Sequence, residues 1–272
     1  MKDKNNVNQS NSTWSGMVPV DDTALYVSDT GGPGVPVLYL NGQFATQGYW
    51  RKVIAEVGPG FRHITHNERA RGKSKASADY SFATCVRDVD AILAARGVDR
   101  PLLVGWSYGA FVAAHWTSRN PYRCLGAVLV DGAQPYDWMS EEMAQGMRKL
   151  FKRLNLFMPL LRPTGLTPKM SAREMAEINI ELGWLARVSE LGPVMDNVNV
   201  PTRYVLASGT SFGSHGDEQE RIRSGVYEVV ARKPNIKISA KVASNHGAIL
   251  KKDFRAVANA VREVAALHHR GR

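Results

Sequence analysis

Short β-branched and aliphatic runs alternate along this chain with longer stretches whose apolar residues recur at helical spacing. The runs at 24–28, 35–40, 63–66, 102–104, 127–130, 202–207 and 237–242 read as strands. The stretches at 47–57, 81–96, 107–119, 218–231 and 252–267 read as helices. Such alternation predicts an α/β architecture, a mostly parallel twisted sheet flanked by helices. The turn chemistry of Asp29-Thr30-Gly31-Gly32-Pro33-Gly34 predicts a hairpin between 24–28 and 35–40 at the sheet edge.

One region breaks the alternation. Residues 137–197 are rich in Met, Leu, Phe and Arg, and are interrupted by Pro159, Pro163, Pro168 and Pro193. Segments 142–156 and 172–188 carry apolar residues at helical spacing, among them Met143, Met147, Leu150, Phe151 and Leu154. This region reads as a helical cap inserted after a strand's C-terminal end, where open α/β sheets place their ligands. A stripe of this kind serves a small core as readily as a pocket. The body of the domain is then 17–136 and 198–272. Residues 1–16, polar and without the apolar stretch of a secretory signal, read as a disordered tail.

Composition narrows the field. The 272 residues include 35 Lys plus Arg against 25 Asp plus Glu, a net charge of +10. The basic residues are scattered and accompany no nucleic-acid-binding motif, so a solvated basic surface that steers anions is the expectation, and no nucleic-acid partner is expected. No apolar run approaches the roughly 20 residues of a membrane span. Cys85 and Cys124 form neither a disulfide framework nor a metal-ligand spacing, which fits a reducing cytoplasm. No metal and no organic cofactor is implied, there is no internal repeat, and the oligomeric state is left open.

The sharpest motif is Gly105-Trp106-Ser107-Tyr108-Gly109, directly after an apolar strand and directly before a helix-forming run. Glycines on both flanks allow a sharp strand-to-helix turn that lifts the Ser107 hydroxyl above the sheet at a helix N-terminus. A hydroxyl of this kind needs a base. Of seven histidines, His63 and His66 flank a strand, His115 lies within a helix, and His268 and His269 are terminal. His215 sits in a Gly- and Ser-rich loop and is a weaker rival. His246, in Ser244-Asn245-His246-Gly247, stands between the last strand and the last helix and is the candidate base.

From about Leu25 to Leu267 these features resemble the α/β-hydrolase superfamily. The resemblance rests on the turn at Ser107, on Asn245-His246-Gly247, and on Asn67-Glu68-Arg69-Ala70-Arg71-Gly72-Lys73-Ser74. That segment is similar to the family's Asp-x-Arg-Gly-x-Gly-x-Ser loop in Arg69, Gly72 and Ser74, and departs from it at Asn67 and Ala70. The resemblance implies an α/β-hydrolase fold with a helical cap. It also implies an oxyanion hole from the backbone amides of Tyr108 and Gln43, with Phe44 the weaker candidate, in a loop that has Asn41 where histidine is usual. The Gln43 side chain resembles the polar residue that haloalkane dehalogenases carry at this place.

The catalytic acid is less plainly marked. Many family members place it shortly after a glycine that ends the strand at 202–207, but Gly209 here is followed by Thr210-Ser211-Phe212-Gly213. Haloalkane dehalogenases and zearalenone-type lactonases place it one strand earlier, which carries the role to Asp131. Asp217 or Glu218 is the alternative. Dehalogenases and epoxide hydrolases of this fold use an aspartate nucleophile, so Ser107 points instead to acyl transfer from an ester or lactone of a medium-sized apolar small molecule. Trp106, Trp138, Met139, Met143, Met147, Phe151 and Trp184 are the expected pocket wall, with Phe44 beside them. A carbon–carbon bond hydrolase or a peptidase on the same residues, and a ligand-binding relative whose catalysis has lapsed, remain the alternatives.

Overall fold

The strands β1 (Trp14–Val20), β2 (Thr23–Asp29), β3 (Val35–Leu40), β4 (Phe61–His66), β5 (Leu102–Trp106), β6 (Gly126–Val130), β7 (Thr202–Ala207) and β8 (Ile236–Val242) form one sheet in the order β1-β2-β4-β3-β5-β6-β7-β8. The coordinates are a computed structural model that describes residues 13–154, 167–209 and 216–269. Pairing is antiparallel at β1/β2 and β2/β4 and parallel from β4 through β8. The central strands β5, β6 and β7 are buried along their whole length, which is why β5 and β6 are near-continuous apolar runs, while β7 opens with Thr202 and Arg203 before its apolar end.

Each face of the sheet carries its own core. Leu38 and Leu40 of β3 join Leu103, Leu129 and Leu206 under α2 (Phe82–Ala95) and α3 (Tyr108–Arg119). Val37 and Tyr39 point the other way and join Val104, Val128 and Val205 under α1 (Arg51–Val57) and the C-terminal helix Phe254–His269. Cys85 and Cys124 are unpaired, and burial pushes their thiols up to about 12 and about 11. Among the described residues no helix is long and apolar enough to cross a membrane.

Two expectations about the N-terminal edge are corrected. The segments 24–28 and 35–40 do not form a hairpin, because β4 lies between β2 and β3. The chain instead leaves β3, runs through α1 and returns as β4 in parallel, as crossover connections do. The hairpin is β1 with β2, closed at Asp21-Asp22 with Asp21 at φ 39°. Trp14, Ser15 and Gly16, read from sequence as tail, thus belong to β1, and the Arg96 guanidinium lies 4.0 Å from the Trp14 ring centroid. Residues 1–12 of the expected tail lie outside the described residues.

Between β6 and β7 stand α4 (Glu141–Leu154), α5 (Ala172–Leu185) and α6 (Val188–Asp196). Pro159 and Pro163, and the end of the expected segment 142–156, lie outside the described residues. A capping box starts α5, with Glu174 N donating to Ser171 Oγ and Ser171 N to Glu174 Oε2. Bonds that tie this region to the rest of the molecule include Tyr136 N to Ala186 O, Lys169 N to Ala70 O, Phe82 N to the Glu181 carboxylate, and Arg232 Nε to Asp196 Oδ1. Met139, Ala144 and Ile180 form a small core of their own, with Met147 and Trp184 against it.

The strand β2, which lies between the edge strand β1 and β4, is held by a buried carboxylate. Asp29 accepts from Arg62 Nε (3.0 Å) and Nη2 (2.7 Å), from Arg96 Nε (2.8 Å) and from Gly31 N (2.8 Å), so β2, β4 and the end of α2 meet at one group. Burial pushes its pKa up, but the bonds from Arg62, Gly31 and Arg96 outweigh this and hold it below the ordinary carboxylate value. Asp29→Asn is therefore expected to lower stability by about 2 kcal/mol at neutral pH, read from urea midpoints. A lowered folded-state pKa stabilises above the unfolded value of about 4 and is lost as pH falls through the folded one. The gap between wild type and variant should accordingly narrow in acid.

Candidate active site

Strand β5 delivers Ser107 through a turn that its neighbours enforce. Ser107 has φ 54° and ψ −117°, a conformation that costs on the order of 1–3 kcal/mol and persists only where surrounding structure over-determines it. The constraint is visible on both sides. Ser107 N donates to Val130 O of β6 at 2.9 Å, and Ala110 N donates back to Ser107 O at 3.0 Å as α3 begins. A Cβ at Gly105 would lie 2.1 Å from Gly109 O, and one at Gly109 would lie 2.2 Å from Leu40 O. Both motif glycines are thus required by backbone approaching backbone.

His246 and Asp131 arrive from the ends of β8 and β6. His246 Nε2 lies 2.9 Å from Ser107 Oγ, and His246 Nδ1 lies 2.7 Å from Asp131 Oδ2. A carboxylate oxygen only accepts, so Nδ1 carries the proton in the neutral ring and Nε2 is left to accept from the serine hydroxyl. Asp131 takes φ 44°, and its second oxygen accepts from Ala207 N (3.0 Å) and Gln134 Nε2 (3.4 Å). The Trp106 indole donates to His246 O at 3.2 Å, and the two rings lie 5.7 Å apart. Trp106 therefore supports the histidine from below and does not line the open cavity.

The loop after β3 abuts the start of α3, since the vacant Cβ position of Gly109 lies 2.7 Å from Asn41 O. The amides of Gln43 and Tyr108 belong to these two adjacent segments. Asn41 is fully buried and saturated: its Nδ2 donates to His66 O (2.7 Å) and Glu68 Oε2 (3.0 Å), its N to Glu68 Oε1 (3.2 Å), and its Oδ1 accepts from Trp50 Nε1 (2.9 Å). The loop is thereby pinned from beneath. Gln43 Nε2 is buried without a partner among the described residues, and Phe44 stacks under the Arg71 guanidinium at 4.9 Å. The departure at Asn67 is absorbed elsewhere, since Arg69 pairs with Asp88 and Asp21 while Asn67 accepts from Gln47 N.

Residues 35–174 match the family model of the α/β-hydrolase fold. The chain belongs to this family. A haloalkane dehalogenase of Mesorhizobium japonicum is 30% identical over 173 residues, which is 58% of this chain and 56% of that protein. The matched region thus spans little more than half of that relative's length. A thermophilic esterase from Thermogutta terrifontis superposes with a TM-score of 0.70 at 17% identity, covering 95% of this chain and 99% of that one. A haloalkane dehalogenase from Agrobacterium tumefaciens gives 0.69, also at 17%, covering 96% and 97%. At these identities the structures bear on the fold alone.

In this α/β-hydrolase a cavity of about 340 Å³ opens at Ser107 and His246, walled by Phe111, Gln134, Tyr136, Trp138, Leu182, Ala186, Ile222 and Arg223. Of the expected pocket wall only Trp138 lines it. Met139 packs under Gly183, Met147 joins it in the small core, and Phe151 packs on the main core. Met143 is exposed, Trp184 lines a groove on the far side of α5, and Phe44 borders a separate small void. The helical period marked an apolar face without saying which element it would meet. The actual wall draws on α3, α5 and a further helix, α7 (Gly216–Arg232), whose Ile222 and Arg223 carry no signal in sequence beyond an apolar–basic pair.

The remaining candidates are placed elsewhere. His63 bridges Tyr39 Oη and Gly58 O, and burial lowers its pKa. His115 is buried in α3, where burial and then Arg119 lower its pKa to about 4. Asp217 and Glu218 fall in the first turn of α7, and the positions of their side chains lie outside the description. His215 also lies outside the described residues. Among those described, no group of three or more His, Cys, Asp or Glu is placed to hold a metal.

The crowding at the turn yields a paired prediction. Gly109→Ala forces a methyl against the Leu40 carbonyl and should cost at least about 1–3 kcal/mol of stability. Gly146→Ala, in α4 with open space around it, should instead gain about 0.5–1 kcal/mol from helix propensity. Urea unfolding of both variants checks the contrast.

Proposed function

We propose that the chain is a serine hydrolase that cleaves a carboxylic ester or lactone through an acyl-enzyme. The observation that carries this reading is the unbroken hydrogen-bonded series from Ser107 Oγ through His246 to Asp131 at the mouth of a largely apolar cavity. Ser107 Oγ attacks the carbonyl carbon while His246 Nε2 takes its proton. Asp131 holds the imidazole in the needed tautomer and stabilises the cation that forms. The amides of Gln43 and Tyr108 take the oxyanion. The imidazolium then returns its proton to the leaving alkoxide, and water, activated in the same way, releases the acid.

A serine oxygen forms an ester with an acyl group, which water reopens at the carbonyl. The same oxygen alkylated by a haloalkane would give an ether, so the resemblance to dehalogenases extends to scaffold and acid placement and not to that chemistry. In this reading the helices between β6 and β7 act as a cap, with Trp138, Leu182 and Ala186 closing the cavity from above.

Intact-mass analysis after fluorophosphonate treatment tests the nucleophile. Wild type should gain one adduct and Ser107→Ala none, and an unlabelled, folded wild type would sink the reading. For the acid, Asp131→Asn should lower kcat on p-nitrophenyl esters by about 10³–10⁴-fold, whereas Asp217→Asn should stay within about twofold of wild type. The reverse ranking would move the acid to α7.

A further inference from the structure

We propose that Glu68 is a positioning residue of the oxyanion hole, holding in register the loop that presents the Gln43 amide. The proposal rests on the acyl-enzyme reading above and adds a residue to it. Glu68 is not among the residues that wall the cavity at Ser107, so it acts through the loop and not on the substrate. The loop from Asn41 to Gln47 is fastened at both ends by two consecutive residues of one segment. Glu68 takes the start, where its Oε1 accepts from Asn41 N at 3.2 Å and its Oε2 from Asn41 Nδ2 at 3.0 Å. Asn67 takes the end, where its Oδ1 accepts from Gln47 N at 3.0 Å. Gln43 lies between the two anchors.

The turn between them is strained and closely fitted. Phe44 takes φ 62°, a left-handed conformation that a residue with a side chain keeps only where its surroundings over-determine it. The vacant Cβ position of Gly42 lies 2.7 Å from the Trp106 ring, and Gly42 O accepts from Ala45 N at 3.0 Å. The clasp at the start of this turn calls for a carboxylate. Asn41 aims two donors at residue 68, and an ionised carboxylate meets both because it only accepts. The other contacts of Asn41 are already spent, its Nδ2 also donating to His66 O and its Oδ1 accepting from Trp50 Nε1. Among the described residues the only ion-pair contact of Glu68 is His66 Nε2, at 3.7 Å. The charge is thus held chiefly by the donors of Asn41, in bonds that the charge itself strengthens. Glutamine at 68 keeps the shape but turns one acceptor into a donor, setting N–H against N–H. A displaced Gln43 amide weakens the bond to an oxyanion, which exists only beyond the ground state, so the loss belongs in kcat.

Steady-state hydrolysis of p-nitrophenyl butyrate by wild type, Glu68→Gln and Asp29→Asn tests this, at a temperature where urea unfolding shows all three folded. Glu68→Gln should lower kcat by about 10²-fold, the scale of one lost oxyanion donor, with KM within about threefold of wild type. Its Ki for phenylboronic acid, whose tetrahedral adduct on Ser107 Oγ fills the oxyanion hole, should rise in parallel with the fall in kcat/KM. Asp29→Asn, which loses a buried carboxylate outside the site, should keep kcat within about twofold of wild type and so separates lost stability from lost positioning. A folded Glu68→Gln with kcat within about twofold of wild type, or with an unmoved boronate Ki while kcat falls, would overturn the proposal. If Glu68→Gln does not fold, Glu68→Asp, which retracts the carboxylate by one methylene, is read against the same limits. Failure of wild type to hydrolyse the ester, together with an unlabelled Ser107, would instead overturn the underlying hydrolase reading.

Discussion

Everything at the site depends on a backbone that cannot relax. Ser107 sits at a left-handed φ because β6 holds its amide from one side while the carbonyls of Leu40 and Asn41 crowd the start of α3 from the other. The strain at one residue is balanced by the parallel pairing of β3, β5 and β6, strands buried along nearly all their length. Asp131 repeats the device one strand over, again at positive φ and again tied by its amide to the next strand at Val205 O. The two turns are thus consecutive outlets of one sheet, and their spacing is set by strand separation rather than by side-chain packing.

Polar departures from the family pattern are met by local substitution of partners. Asn41 stands where the family has histidine, and it is bonded on every side by Glu68, His66 and Trp50. Ala70 stands where the family has glycine, and it takes φ 63° with its amide bonded to Lys75 O and its carbonyl to Lys169 N. Arg69 draws its carboxylates from α2 and the β1–β2 turn. These contacts form a polar frame beneath the loop that carries Gln43.

What could be read from the chain alone follows from how local each signal is. The turn at Ser107 was legible because its glycine spacing and flanking periodicities lie within a dozen residues. His246 was legible from its place between strand and helix, whereas Asp131 came only with the resemblance to haloalkane dehalogenases and zearalenone-type lactonases, with Asp217 or Glu218 as the alternative once no carboxylate followed Gly209 closely. The pocket was not legible. Met143, Met147 and Phe151 share a helical stripe, but the period states only that they share a face, and that face turned to the small core, the main core and solvent. Arg223 and Ile222 reach the cavity from a helix more than a hundred positions beyond Ser107, a juxtaposition that only β7 and its crossover create. The first strand escaped because Trp14-Ser15-Gly16 alternates only half-buried and exposed sites, too weakly to stand apart from the polar residues before it.

The two cysteines have a practical consequence. With thiols raised to about 12 and about 11, Cys85 and Cys124 stay protonated at neutral pH, and a thiol without its thiolate is a poor target for maleimide or iodoacetamide. The folded protein is therefore close to silent toward thiol chemistry. A single cysteine introduced on the exposed face of α4 would be its one reactive handle, so a fluorophore or spin label placed there would report the helices between β6 and β7 against an otherwise unlabelled background.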